Sequence, residues 1–133
     1  VLVPGDRAPT LVEEALVAQM QPGSVIVDVA IDQGGCIATS RETTHTDPVF
    51  TKHGVQHYAV GNMPGAVPFT STEALVSVTL PYIAAVAGRG LVDAVTERPE
   101  LVSGLNTAHG AVCHPGVAKA LALPSRHPMA CLR

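Results

Sequence analysis

The chain has 133 residues and a mass of 13.7 kDa, enough for one ordinary domain or part of a larger one. Hydrophobic residues make up 47% and charged residues only 14%, a balance that excludes intrinsic disorder. Lys and Arg total 8, Asp and Glu total 11, and the net charge of -3 without a basic stripe removes the main driving force for nucleic-acid binding.

The opening run Val1-Leu2-Val3-Pro4-Gly5 is apolar and stops at a turn, as the end of a strand begun upstream would. Thr10 with Glu13 three residues on makes a capping box. Val12, Ala15, Leu16 and Met20 then fall on one helical face, and Pro22-Gly23 ends the helix. Ser24 to Ala30 is a continuous β-branched run, the pattern of a strand buried on both faces of a parallel sheet. Val1 to Val29 therefore reads as a strand–helix–strand unit. A long polar loop is expected from Asp32 to about Lys52, and a third strand from Val55 to Val60. Asn62 to Pro68 holds too much proline and glycine to be regular. Thr70 and Glu73 form a second capping box, opening a long helix to about Gly88 that Pro81 should kink or divide. Short helices follow at Leu91 to Arg98 and at Pro115 to Leu121, and the tail from Pro124 reads as loose. Prolines 64, 68 and 81 break the longest uncharged stretches, so no membrane span is expected, and no signal peptide is visible. Between Lys52 and Arg89 the only charge is Glu73, which marks surface that another domain or subunit covers.

Cys36, Cys113 and Cys131 form neither a disulfide framework nor a CxxC site, and fit a reduced, cytoplasmic inventory. The six histidines lack ligand spacing, so no metal site is expected. In a parallel α/β sheet, ligands bind beyond the carboxyl ends of strands. Two loops leave such ends: Ala30-Ile31-Asp32-Gln33-Gly34-Gly35-Cys36, and Val60-Gly61-Asn62-Met63 with the Pro64-to-Pro68 stretch. Asp32 is the only carboxylate at either end apart from Asp28 inside the strand. It can handle protons beside a cofactor or orient a substrate amine; capping a turn is the equal alternative. Arg41 reads as a phosphate or ribose ligand or as a solvated loop arginine. His45, His53 and His57 read as surface or locally bonded residues, Cys36 as an incidental thiol and Met63 as core or pocket wall. No GxGxxG is present.

The IDQGGC run at 31–36, with Ser40-Arg41, Thr43-Thr44-His45 and Asp47-Pro48, resembles the alanine dehydrogenase family. Leu2-Val3-Pro4-Gly5, the NMPGAVP run at 62–68, Thr79-Leu80-Pro81-Tyr82 and Gly104-Leu105-Asn106-Thr107 extend the likeness to about Leu123, over the C-terminal part of that family. The resemblance implies an α/β fold: the second half of a Rossmann-type parallel-sheet NAD-binding domain in residues 1–70. A long connecting helix and C-terminal helices, packed on a substrate domain, would fill 71–133. It implies NAD as cofactor, reversible oxidative deamination of L-alanine to pyruvate and ammonium, and a cytoplasmic homohexamer. Asp32 would be the catalytic, proton-handling group. Val1, Leu2, Val29, Ala30, Ile31, Arg41, Val60, Gly61, Asn62 and Met63 would contact the cofactor with it. Gly61 stands where the family usually has alanine. The family's glycine-rich loop, its ribose-binding acid, its substrate arginine and lysine and its catalytic histidine fall upstream of the residues here. The chain alone is therefore expected to be an inactive part of a subunit. The NAD-binding component of proton-translocating transhydrogenase and a non-catalytic truncated module are the alternatives.

Overall fold

The computed structural model describes residues 2–132, and the expected contribution of Val1 lies outside them. The chain divides into two compact units. One comprises residues 2–3 and Arg7–Val67; the other comprises Pro4–Asp6 and residues 68–132.

The first unit is built on a mixed three-stranded sheet in the order β1-β3-β2. β1 (Val25–Val27) pairs in parallel with β3 (Val55–Tyr58), with Ile26 opposite His57. β2 (Val49–Lys52) lies inside the expected loop and pairs antiparallel with β3. Its turn is two residues long, His53-Gly54, with φ of 53° and 76°. Positive φ at both central residues is what a tight hairpin requires, and it ordinarily draws Asn-Gly or Asp-Gly. Lys52 and His53 on this hairpin both reach Glu14, at 2.9 and 2.7 Å. The His53 and then the Lys52 hydrogen bonds hold the Glu14 carboxyl below its ordinary range.

The expected helix over residues 10–20 is reduced to α1 (Glu14–Val17), and Thr10 does not cap it. The cause is competition for backbone groups. The N–H groups of Leu11 and Val12 both donate to the Cys36 carbonyl, and Ala38 N–H donates to Val12 O. That keeps this segment extended, with Val12 bridged in parallel to Ile37. Val17, Ile26 and Val55 form the buried core, with Val12, Met20 and Ile37 packed on it. Leu2 and Val3 form no strand, so the strand–helix–strand reading fails at its first element. Val3 is instead held by Gln33, whose side-chain amide meets both its N–H and its C=O at 3.2 Å.

β1 also departs from expectation. Ile26 is buried, but Val25 and Val27 are 65% and 55% exposed, and Val29 beyond the strand is 70% exposed. Burial on both faces needs a covering layer on each, and α1 covers only one.

In the second unit, α2 (Pro68–Arg89) runs through Pro81 without a break and starts two residues before Thr70, which therefore lies inside the helix. Because proline is accepted at its first position and in its interior, α2 is long and apolar enough to cross a membrane, by length and composition, with a mean hydropathy of 1.3. The prolines expected to interrupt this stretch do not interrupt the helix. Its apolar side chains, Phe69, Leu75, Val78 and Ile83 among them, are exposed. α3 (Leu91–Glu97) folds back against it; Arg89 pairs with Glu97, and the Arg98 guanidinium lies 5.5 Å from the centre of the Tyr82 ring. A short hairpin of β4 (Thr107–Ala108) and β5 (Ala111–Val112) again turns on His-Gly, His109 and Gly110, both at positive φ. α4 (Pro115–Leu121) spans the expected residues and is capped by the His114 ring, which accepts from the N–H groups of Gly116 and Val117. The tail is not loose. α5 (Pro128–Cys131) buries Cys131 beside Leu105 and Cys113. The Cys113 thiol, with burial, raises the pKa of the Cys131 thiol.

Val17 has no exposed surface, so Val17→Ala should cost about 2–3 kcal/mol in urea unfolding. Gln19→Ala, on the exposed end of the same segment, should stay within about 0.5 kcal/mol. Equal effects would contradict this placement of the core.

Candidate functional site

The parallel register sets the site. Val27 stands opposite Tyr58, so β1 and β3 end side by side, and Asp28 N–H continues the pairing with a bond to Tyr58 O at 3.0 Å. Each chain then leaves the sheet at the same end. After β1 it enters a tight 3-10 turn, Ile31–Gln33, closed by Gly34 at φ 97°. After β3 it passes Ala59 and Val60 to a second 3-10 turn, Met63–Ala66.

The two turns meet at Asp32 and Asn62. The backbone N–H of Asn62 donates to Asp32 Oδ1 at 3.3 Å. Asn62 adopts the left-handed conformation, with φ 53° and ψ 54°, an uncommon state for any residue but glycine, and one that asparagine tolerates best. Its carbonyl accepts from Gly65 N–H at 2.8 Å and from His45 Nε2 at 3.1 Å. One peptide segment is thus tied on one side to Asp32 and on the other to His45. The Thr43-to-His45 stretch lies alongside: Thr43 bridges Val60 in parallel, donates to Ala59 O and accepts from Gly61 N–H.

Asp32, Gly61 and Asn62 are therefore brought together, with Met63 half-buried next to them. Ala30, Ile31 and Val60 sit at the same strand ends but are 4%, 7% and 1% exposed. They are packed, main chain included, beneath the exposed Asp32 and Asn62. Leu2 and Val29 are exposed apolar residues. Arg41 has a different neighbour: its guanidinium lies 4.3 Å from the centre of the Phe50 ring, which stacks on buried His57 at 4.8 Å. His57 is fixed by Thr39 Oγ1 at 2.8 Å and by Val55 O at 3.0 Å.

Three neighbours were not singled out as site residues by the sequence. Glu42 places its carboxylate where a methyl on Gly61 would stand. His45, read as a surface or locally bonded residue, holds the Asn62 carbonyl. Asp28 is buried and bonded to backbone N–H groups beyond β1. For Asp28 a signal was present, an acidic residue inside an apolar run; for Glu42 and His45 there was none short of the fold. Among the described residues no group of His, Cys, Asp and Glu could hold a metal ion.

The arrangement offers an exposed carboxylate, rigidly backed peptide groups and apolar surface at two adjoining parallel strand ends. Strand ends of a parallel pair are where ligands of α/β folds bind. The sequence supplies no glycine-rich turn for the pyrophosphate.

A family model described as "Alanine dehydrogenase/PNT, C-terminal domain" matches residues 1–115. The alanine dehydrogenase of Bacillus subtilis (strain 168) is 58% identical over 122 residues, covering 91% of this chain and 32% of that protein. A solved L-alanine dehydrogenase structure superposes with a TM-score of 0.72 at 51% identity, covering 92% of this chain and 34% of that one. A transhydrogenase from Sinorhizobium meliloti is more distant, with a TM-score of 0.57 at 27% identity over 68% of this chain and 25% of its own. The chain spans about a third of the length of the relatives it matches.

Gly61 has no positive φ, and the atom nearest to an added methyl is the flexible end of Glu42. Gly61→Ala should therefore be accepted, with Glu42 swinging aside, and should stabilise the protein by about 0.4–1 kcal/mol through the unfolded chain. A loss of more than about 1 kcal/mol in thermal unfolding would show that Glu42 cannot yield.

Proposed function

Because the chain belongs to the alanine dehydrogenase/PNT C-terminal domain family, we propose that it is the C-terminal part of an NAD-dependent alanine dehydrogenase subunit. The full-length enzyme would convert L-alanine to pyruvate and ammonium, and the reverse. The observation that carries the reading is the Asp32–Asn62 junction at the parallel strand ends. It puts an exposed carboxylate where a planar ring and a small amino acid can lie together.

Bound NAD would supply the hydride acceptor for the α-carbon of the substrate. The chain's own residues position and handle protons. Oδ1 of Asp32 is occupied by the Asn62 N–H, which orients the carboxylate and leaves Oδ2 for the substrate nitrogen. Oδ2 takes a proton as the amine is oxidised and returns it in the reductive direction. Buried Ala30, Ile31 and Val60 support the site from beneath; Gly61, Leu2, Val29 and Met63 would line it toward the ring. Arg41, stacked on Phe50, keeps its N–H donors outward for a ribose or phosphate oxygen.

Other segments of the subunit would supply the pyrophosphate loop and the substrate-binding groups, so residues 1–133 alone would not turn over. The exposed Val25, Val27 and Val29 and the apolar α2 fit burial against those segments or against further subunits of a hexamer. The division we propose is nucleotide-domain residues 1–70 and connecting helices 71–133. The three thiols, none in a disulfide, suit the cytoplasm. Transhydrogenase is the weaker reading, at 27% identity against 51%.

In the full-length protein, Asp32→Ala should lower kcat for L-alanine by about 10²–10⁴-fold while NADH still binds. Arg41→Ala should raise the KM for NAD by about tenfold or more with little change in kcat. Turnover near wild type in the first variant, or an unchanged NAD KM in the second, would refute the role concerned.

A further inference from the structure

We propose that Asp28 is a positioning residue for this reaction, a buried carboxylate that shapes the turn carrying Asp32. The inference rests on the role given to Asp32 above. Asp28 is 4% exposed. Its Oδ1 accepts from Ala30 N–H at 3.2 Å and from Cys36 N–H at 3.2 Å. Its Oδ2 accepts from Cys36 N–H at 2.9 Å and from Ile37 N–H at 3.2 Å. The anchored groups are the two ends of one segment, and Asp32 lies between them. Within it, Gln33 and Gly35 N–H both return to Ala30 O, and Gly34 N–H returns to Ile31 O. The segment is therefore a closed loop tied at its neck by one side chain.

Two features show that the carboxylate itself is required. Burying an ionised group is costly unless it is bonded, and among the described residues no Lys or Arg is within ion-pair distance of Asp28. The three backbone N–H groups are its compensation, and bonds of this kind to a charged acceptor are about twice as strong as neutral ones. An asparagine in its place would turn an NH₂ group toward at least one of those donors. The second feature is Gly35. At φ 79° it is in the left-handed region, and a Cβ there would stand 2.7 Å from Asp28 Oδ2. Side chains are thus excluded at Gly35 by conformation and by the carboxylate together. The IDQGGC run reads as a loop whose second glycine makes room for the acid that ties it.

The functional consequence follows from geometry. The Asn62 N–H reaches Asp32 Oδ1 at 3.3 Å, already a long bond, so a loop shifted by about an ångström would lose it. Misplacement on that scale costs about 10²-fold in rate.

The test uses the full-length protein and compares Asp28→Asn, Gly35→Ala and the double variant with wild type. Each single variant should lower kcat for L-alanine by about 10²-fold, with the dissociation constant for NADH, from fluorescence titration, within about threefold of wild type. The double variant should lose clearly less than the product of the two single losses, because both changes disturb the same loop neck, while the strain of a side chain at φ 79° persists in either background. Unchanged kcat in both single variants would overturn the inference, as would NADH affinity falling in parallel with kcat or fully additive effects. If Asp28→Asn fails to fold, Asp28→Glu is read in its place by the same two measurements, and an unchanged kcat there overturns the inference. A wild-type protein that binds NADH but does not oxidise L-alanine would defeat the proposed function itself, and this inference with it.

Discussion

The parallel pairing of β1 with β3 is the constraint on which the rest of the first unit depends. Antiparallel strands would send their following loops to opposite ends of the sheet. Parallel ones deliver both loops to the same end, and here Ile26 opposite His57 and Val27 opposite Tyr58 set them in register. Asp28 carries the pairing one residue further through its N–H, then uses its side chain to close the next loop. A single residue therefore joins the sheet to the turn that presents Asp32. The other loop arrives with Asn62 in a conformation that points its N–H at that carboxylate.

Burial explains which groups are offered and which are withheld. Ile26, Val55 and His57 fill the covered face of the sheet, and His57 anchors the stack of Phe50 and Arg41. The opposite face, with Val25 and Val27, carries apolar side chains into the open. So does α2, whose 22 residues include none that is buried. A chain with 14% charged residues cannot dress such surfaces with polar groups, and this agrees with a chain that spans a third of its relatives' length.

Much of this was legible in the sequence, and the failures have physical causes. α4 was readable because Pro115 suits a first helical position, and β3 lies within the strand expected at Val55 to Val60, ahead of the NMPG turn. β2 was hidden because its hairpin turns on His53-Gly54, a pair without the usual asparagine or aspartate signal. The helix at 10–20 shrank because a distant carbonyl, Cys36 O, takes the Leu11 and Val12 donors, and no local pattern announces that. The period of β1 was read correctly as apolar, yet its burial depends on a layer outside these residues. Asp32 stood out as the only carboxylate at either strand end apart from Asp28 inside the strand, and the resemblance implied a catalytic role for it. That Asn62 N–H would bond it across 30 residues, and that Asp28 would tie the loop beneath it, are tertiary facts with no trace in spacing.

The central claim is that the two strand-end loops form one floor for a nicotinamide ring, with Asp32 facing the substrate. It is tested most directly by a crystal structure of the full-length protein with NAD and pyruvate bound. The account predicts the nicotinamide ring beside the loops that hold Val29, Asp32, Gly61 and Met63, with Asp32 Oδ2 within about 3.2 Å of a pyruvate oxygen or of one bridging water. A nicotinamide seated elsewhere, or an Asp32 carboxylate turned away from the ligand, would contradict it.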